Sequence, residues 1–283
     1  MTAPTTMQTV DADVRVTESR ARFSDLLAAE WIKMWSLRST FWAFAVSLLA
    51  VLAVSLSTAY GDSTRYPGMD AGQQEYFRTF GAVGDSFPMG SATFMALGAG
   101  AIGAITMLSE FTTGMIRTTF TAVPARRSVM VAKVVVVTAV TTAFGALAVL
   151  CSYAGVQWIL SGQDAAAGLG HPGVPQLLAA SVVLAPVCAL IGMAMGALIR
   201  HSVLTIIATI TLLFVLPSLL NGQQRLGATI LHTLVLQAWQ RLTYDDATGD
   251  PFPWTTTGAW TVLAVWTVVA AAVTVFSADR RDQ

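Results

Sequence analysis

Apolar residues in this chain come in six long uncharged runs, at 40–60, 86–108, 134–160, 177–199, 203–220 and 255–278. Each run is 18 to 27 residues long, and roughly 20 helical residues cross the ~30 Å hydrocarbon core of a bilayer. A helix satisfies its own backbone hydrogen bonds, which lipid cannot do for it. Strands of a membrane barrel would be ~10-residue segments of alternating polarity, and none occur. The pattern predicts an all-α integral membrane protein with six transmembrane helices within residues 22–283. The first run begins near residue 40 and is too long for the apolar region of a signal peptide. Residues 1–21 are polar, rich in Thr and without apolar periodicity, as expected of a mobile tail.

Three shorter stretches carry helical periodicity outside the runs. In FSDLLAAEWIKMWSLR, residues 23–38, the apolar side chains of Phe23, Leu27, Trp31 and Met34 form a stripe. Asp25, Glu30 and Lys33 are its polar exceptions, and two Trp with flanking Lys and Arg suit a membrane interface. This predicts an amphipathic N-terminal interface helix. SEFTTGMIRTTFTAVPARR, residues 109–127, interrupts the second and third runs. There Ile116, Phe120 and Val123 fall at helical spacing, Gly114 marks a turn, and Pro124 ends the segment. It reads as a short helix with one apolar side; an ordinary basic loop lying on lipid accounts for the same residues. TILHTLVLQAW, residues 229–239, is too short to span, and Leu231, Val235, Ala238 and Leu242 share a face. It reads as an amphipathic or re-entrant helix.

Charge orients the chain. Only 11% of residues are charged, against about 25% in soluble domains, and mean hydropathy is +0.63. With a cytoplasmic N-terminus, six spans return the C-terminus to the same side. Cytoplasmic segments then hold twelve of the sixteen basic residues and outer segments only Arg65, Arg78, Arg225 and Arg241, as the positive-inside rule expects.

Catalytic chemistry is missing from the spans. Their central parts contain no Asp, Glu, Lys, Arg or His, which disfavours a proton-coupled carrier or a membrane hydrolase. His171, His201 and His232 form no ligand spacing, so no metal site is expected. Cys151 and Cys188 both fall inside spans and read as free thiols. GAGAIG, at 98–103, satisfies G-x-G-x-x-G, but it lies within an uncharged run and no acidic residue follows at the distance a dinucleotide fold needs. Gly98, Gly100 and Gly103, with Gly192 and Gly196 in the fourth run, read instead as close helix packing. Pro186 and Pro217 predict kinks. No G-x-x-x-x-G-K-[ST] occurs, so active transport would draw its energy from another polypeptide.

AEWIKMWSLRSTFW (29–42) and SEFTTGMIRTTFTAVPARRSVMVAK (109–133) resemble the type-2 ABC exporter permeases, particularly the six-span actinobacterial kind, and the terminal RRDQ is similar to family endings. The resemblance implies an ATP-driven exporter's permease subunit in a bacterial plasma membrane, with both termini cytoplasmic. It implies that the loop 109–127 is a coupling helix seated on a separate ATPase subunit. Glu110, Phe111, Gly114, Arg117, Phe120 and Pro124 then form the coupling surface, and Glu30, Trp31 and Lys33 the interface helix. Phe94, Met95 and Phe214 would line a substrate cavity. Two ATPase copies and a second permease chain, identical or paralogous, complete the unit. No cofactor is expected on this chain, with ATP and Mg²⁺ held by the partner. Membrane lipid is a further partner and nucleic acid is not. A non-transporting membrane scaffold or sensor that docks a cytoplasmic partner is the alternative.

Overall fold

The computed structural model describes residues 22–112, 126–220, 222–244 and 252–277. The expected tail (1–21), the RRDQ terminus, and the coupling residues Gly114, Arg117, Phe120 and Pro124 lie outside the described residues. Within them there is helix and no strand. Six helical segments are long and apolar enough to cross a membrane: Arg38–Gly68, Ala71–Phe111, Arg126–Ser161, Val174–Ile199, Ser202–Leu219 and Thr256–Phe276.

Helix α1 (Phe23–Ser36) opens the fold, its first turn tied by the Arg22 amide donating to Asp25 Oδ2 at 3.0 Å. Leu37 is extended (φ −89°, ψ 113°), which breaks α1 from α2 (Arg38–Arg65). A cap of short turns follows, comprising α3 (Ala71–Tyr76), a π turn (Phe77–Gly81) and α4 (Ala82–Asp85). The second span then continues as α5 (Met89–Thr112), and α6 (Arg126–Ser161) is the third. The fourth, α7 (Val174–Ile199), is apolar all round and accepts Pro186 in its interior. It occupies the centre of the bundle, with α5 as its principal neighbour.

Glycine sets the distance between these two helices. A Cβ at Gly103 would lie 1.8 Å from the Ala189 carbonyl oxygen, and one at Gly192 would lie 1.9 Å from that of Gly100. Backbone therefore meets backbone, which bilayer helices need because no hydrophobic force drives them together. The glycine-rich run is a packing surface.

The fifth span is interrupted. After α8 (Ser202–Ile210) comes a π turn, Thr211–Val215, and then α9 (Leu216–Leu219) with Pro217 in its first turn. Proline supplies no N–H to the preceding turn, and the widened ring accommodates that loss. The stretch expected as one short helix around 229–239 is two, α10 (Arg225–Leu231) and α11 (Val235–Thr243), parted at His232–Leu234. Trp239 of α11 is fully buried, donates Nε1–H to Ser181 Oγ at 2.9 Å, and meets Phe87 edge-on. Helix α12 (Thr256–Phe276) closes the bundle.

Candidate functional site: a buried charge tetrad at the ends of the 113–125 segment

Helix α1 turns Leu27, Glu30, Lys33 and Met34 toward the bundle, while Phe23, Trp31 and Trp35 stay exposed. The stripe expected from the sequence is therefore split: Leu27 and Met34 turn inward, Phe23 and Trp31 stay outside, and Glu30, one of its polar exceptions, is buried. Glu30 is 4% exposed and Trp31 is 50% exposed. The reason is what α1 packs against: the start of α6, where Lys133 waits in the second turn, also 4% exposed. The aromatic face is left for the interface, which suits Trp. Trp31 and Trp35 meet edge-on at 5.8 Å, and Trp35 stacks on Phe44, which meets Phe144 of α6 at 5.1 Å.

Four charges close a ring where α1, α5 and α6 meet. Lys33 Nζ donates to Glu30 Oε1 at 2.7 Å and to Glu110 Oε1 at 3.1 Å. Lys133 Nζ donates to Glu110 Oε1 at 2.9 Å and to Glu30 Oε2. Two carboxylates and two ammoniums cancel, so no net charge is buried. Each carboxylate is met by both lysines, which partly offsets the desolvation of the set. Burial works against the charge on Lys33, but its hydrogen bond to Glu30 and the fields of Glu110 and Glu30 outweigh this and raise its pKa above the ordinary lysine value of 10.5.

These are the chain's only lysines; its other fourteen basic residues are Arg. An ammonium can swing three donors between two carboxylates, whereas a planar guanidinium needs a fixed fork. Lys133 was not among the residues singled out from the sequence, where it counted only toward the inside charge. Its signal was there: one of two lysines, placed directly before the third uncharged run and 23 residues from Glu110.

The ends of α5 and α6 carry further ties. Phe111 lies under the Arg200 guanidinium at 4.9 Å, and Arg127 lies over Phe276 at 5.6 Å. Arg200, left-handed at φ 56°, caps α7 and donates to the Ser277 carbonyl at 3.4 Å. The two ends that flank residues 113–125 are thus held to α1, to the turn after α7 and to the end of α12. The described coupling residues Glu110 and Phe111 and the interface residues Glu30 and Lys33 come together here; Trp31 faces away. The three residues expected at a substrate cavity do not share a surface. Phe94 and Phe214 are 47% and 44% exposed, while Met95 is 0% exposed within the protomer core.

Residues 26–218, more than half of the chain, match the family described as ABC-2 family transporter protein. The chain belongs to that family. It is a multi-pass ABC-2 permease, the membrane component of an ABC transporter, and the family implies an ABC ATPase partner. The matched region contains the whole tetrad and ends within α9, before the α10–α11 hairpin and α12. Comparison with curated proteins found no match.

Proposed function

We propose that this permease is the transmembrane half of an ATP-driven exporter and that its 109–127 loop docks on a separate cytoplasmic ATPase. The observation that carries this reading is the buried tetrad. A docked segment transmits force only if its ends are stiffly joined to the bundle, and Glu110 on one side and Lys133 on the other are locked to the same carboxylate–ammonium ring. Displacement of the segment then moves α1, α5 and α6 together, rather than flexing one loop. ATP and Mg²⁺ belong to the partner, two copies of which serve two permease chains, identical or paralogous. Both termini and the tetrad face the cytoplasm, in keeping with the positive-inside bias. The exposure of Phe94 and Phe214 is compatible with contact to the second permease chain or its cargo.

The test is affinity purification of the tagged chain from native membranes in mild detergent, beside Arg117→Glu, with co-purifying proteins identified by mass spectrometry. The proposal expects a protein with G-x-x-x-x-G-K-[ST] in stoichiometric yield, reduced several-fold by the substitution. If no such protein appears even after cross-linking, the exporter reading fails and a membrane scaffold takes its place.

A further inference from the structure

At the end of the bundle away from α1, the cap between α2 and α5 joins the loop before α7 and the end of α11 around a cavity of about 720 Å³. That volume lies within the ~300–1,000 Å³ of small-molecule sites. The tetrad's own cleft holds only about 40 Å³. The rings of Tyr76, Phe80 and Tyr244 line the large cavity, together with the carboxyl of Asp85 and the imidazole of His171.

The polar groups there are incompletely matched. Asp85 is 9% exposed, and among the described residues its Oδ2 has no hydrogen-bond partner. The group facing it is a second carboxyl, Asp62 of α2, close enough to share a hydrogen bond with it and itself met by Arg65 at 3.4 Å. Among the described residues His171 Nδ1 is also buried without a partner. Arg241 lines the same cavity but commits its Nε–H to the Trp254 carbonyl at 2.7 Å. Buried polar atoms in native structures are nearly always hydrogen-bonded, to protein, water or a ligand.

We propose that this cavity binds an amphiphilic organic cation, with its positive nitrogen at Asp85 and its apolar body against the aromatic rings. An ammonium supplies the donor that Asp85 Oδ2 lacks, and its charge relieves the approach of Asp62. Aromatic faces attract cations and bury hydrocarbon at once. A bare metal ion fits poorly, because it needs a compact shell of oxygens rather than a roomy, ring-lined space. The binding site stands on the cavity alone; its place on an export path rests on the function proposed above.

Titration of the purified permease in lipid nanodiscs, without ATPase, tests this by fluorescence polarisation. The probes are rhodamine 6G, an aromatic cation, and fluorescein, an anionic dye on a related ring system. Saturable rhodamine 6G binding is expected, weakened about tenfold or more by Asp85→Asn and kept within a few-fold by Asp85→Glu. Tyr244→Leu, which leaves the buried carboxyl in place, should weaken it several-fold and carries the test if the Asp85 variants do not fold. Absence of saturable cation binding, equal binding by Asp85→Asn or Tyr244→Leu, or equal binding of fluorescein overturns the proposal. Because no ATPase is present, these results are independent of the co-purification outcome.

Discussion

Replacing Lys133 by Met keeps an unbranched side chain one atom shorter and removes its charge. The Lys133 side chain is 5% exposed and the carboxylates it bridges are 3% and 4% exposed, so water cannot replace it. Lys33, at 27% exposure, is left to neutralise both Glu30 and Glu110. Breaking a buried ion pair by removing one partner costs about 3–5 kcal/mol. At about 2–4 °C per kcal/mol for chains of a few hundred residues, the expected fall in thermal midpoint is on the order of 10 °C. A thiol-reactive fluorophore suits the measurement in a Cys151→Ser background, because the remaining thiol, Cys188, is buried in α7 and becomes reactive on unfolding. The decisive comparison is a double-mutant cycle with Glu110→Gln. Each single change strands a charge, whereas the pair removes one of each sign, so the double variant should recover much of the loss, with a coupling of about 1–3 kcal/mol. If the two effects add to within ~0.5 kcal/mol, or Lys133→Met shifts the midpoint by less than ~2 °C, the ring does not act as a unit and the lever argument built on it fails.

Three further outcomes follow from the same geometry. The raised pKa of Lys33 means that its contribution to stability is complete below the ordinary lysine value of 10.5 and is lost as pH rises through the higher folded value. Unfolding measured between pH 8 and 12 should therefore show an alkaline loss that Lys33→Met lacks; identical profiles would refute it. Gly103→Ala and Gly192→Ala drive a methyl to 1.8 and 1.9 Å from carbonyl oxygens, so size-exclusion chromatography should show little monodisperse protein. Gly61→Ala, in α2 with nothing within 4 Å of the added carbon, should be neutral or stabilising by up to about 1 kcal/mol. In folded protein a lipid-soluble maleimide should modify the exposed Cys151 and spare Cys188; equal labelling, read by intact mass, would show that α7 is not central.

How much was legible in the sequence differs from element to element, for physical reasons. The six spans were readable because span length and apolarity are properties of a continuous segment, set by bilayer thickness and by the need for internal backbone hydrogen bonds. The role of Gly98–Gly103 was readable for a related reason, since many glycines in an uncharged run serve little besides close packing. A single stretch could not announce that the helix breaks at His232–Leu234, because buried Trp239 anchors α11 through Ser181, 58 residues away. Nor could it separate Met95, sealed in the core, from its exposed neighbour Phe94.

The candidate site divides in the same way. Glu30, Lys33 and Glu110 stood out as charges in apolar company, and their chemistry was visible in the residue types alone. Their pairing was not, because an ion pair depends on distance, and these distances close over 77 residues from Lys33 to Glu110 and 103 from Glu30 to Lys133. Periodicity could say that α1 has two faces. It could not choose which faces inward, since that choice belongs to Lys133, the charge α6 presents at the point of contact. The cavity at the other end is likewise tertiary: Asp85, at the end of α4, and His171, in the loop before α7, are unremarkable polar residues until the fold brings them to one cavity.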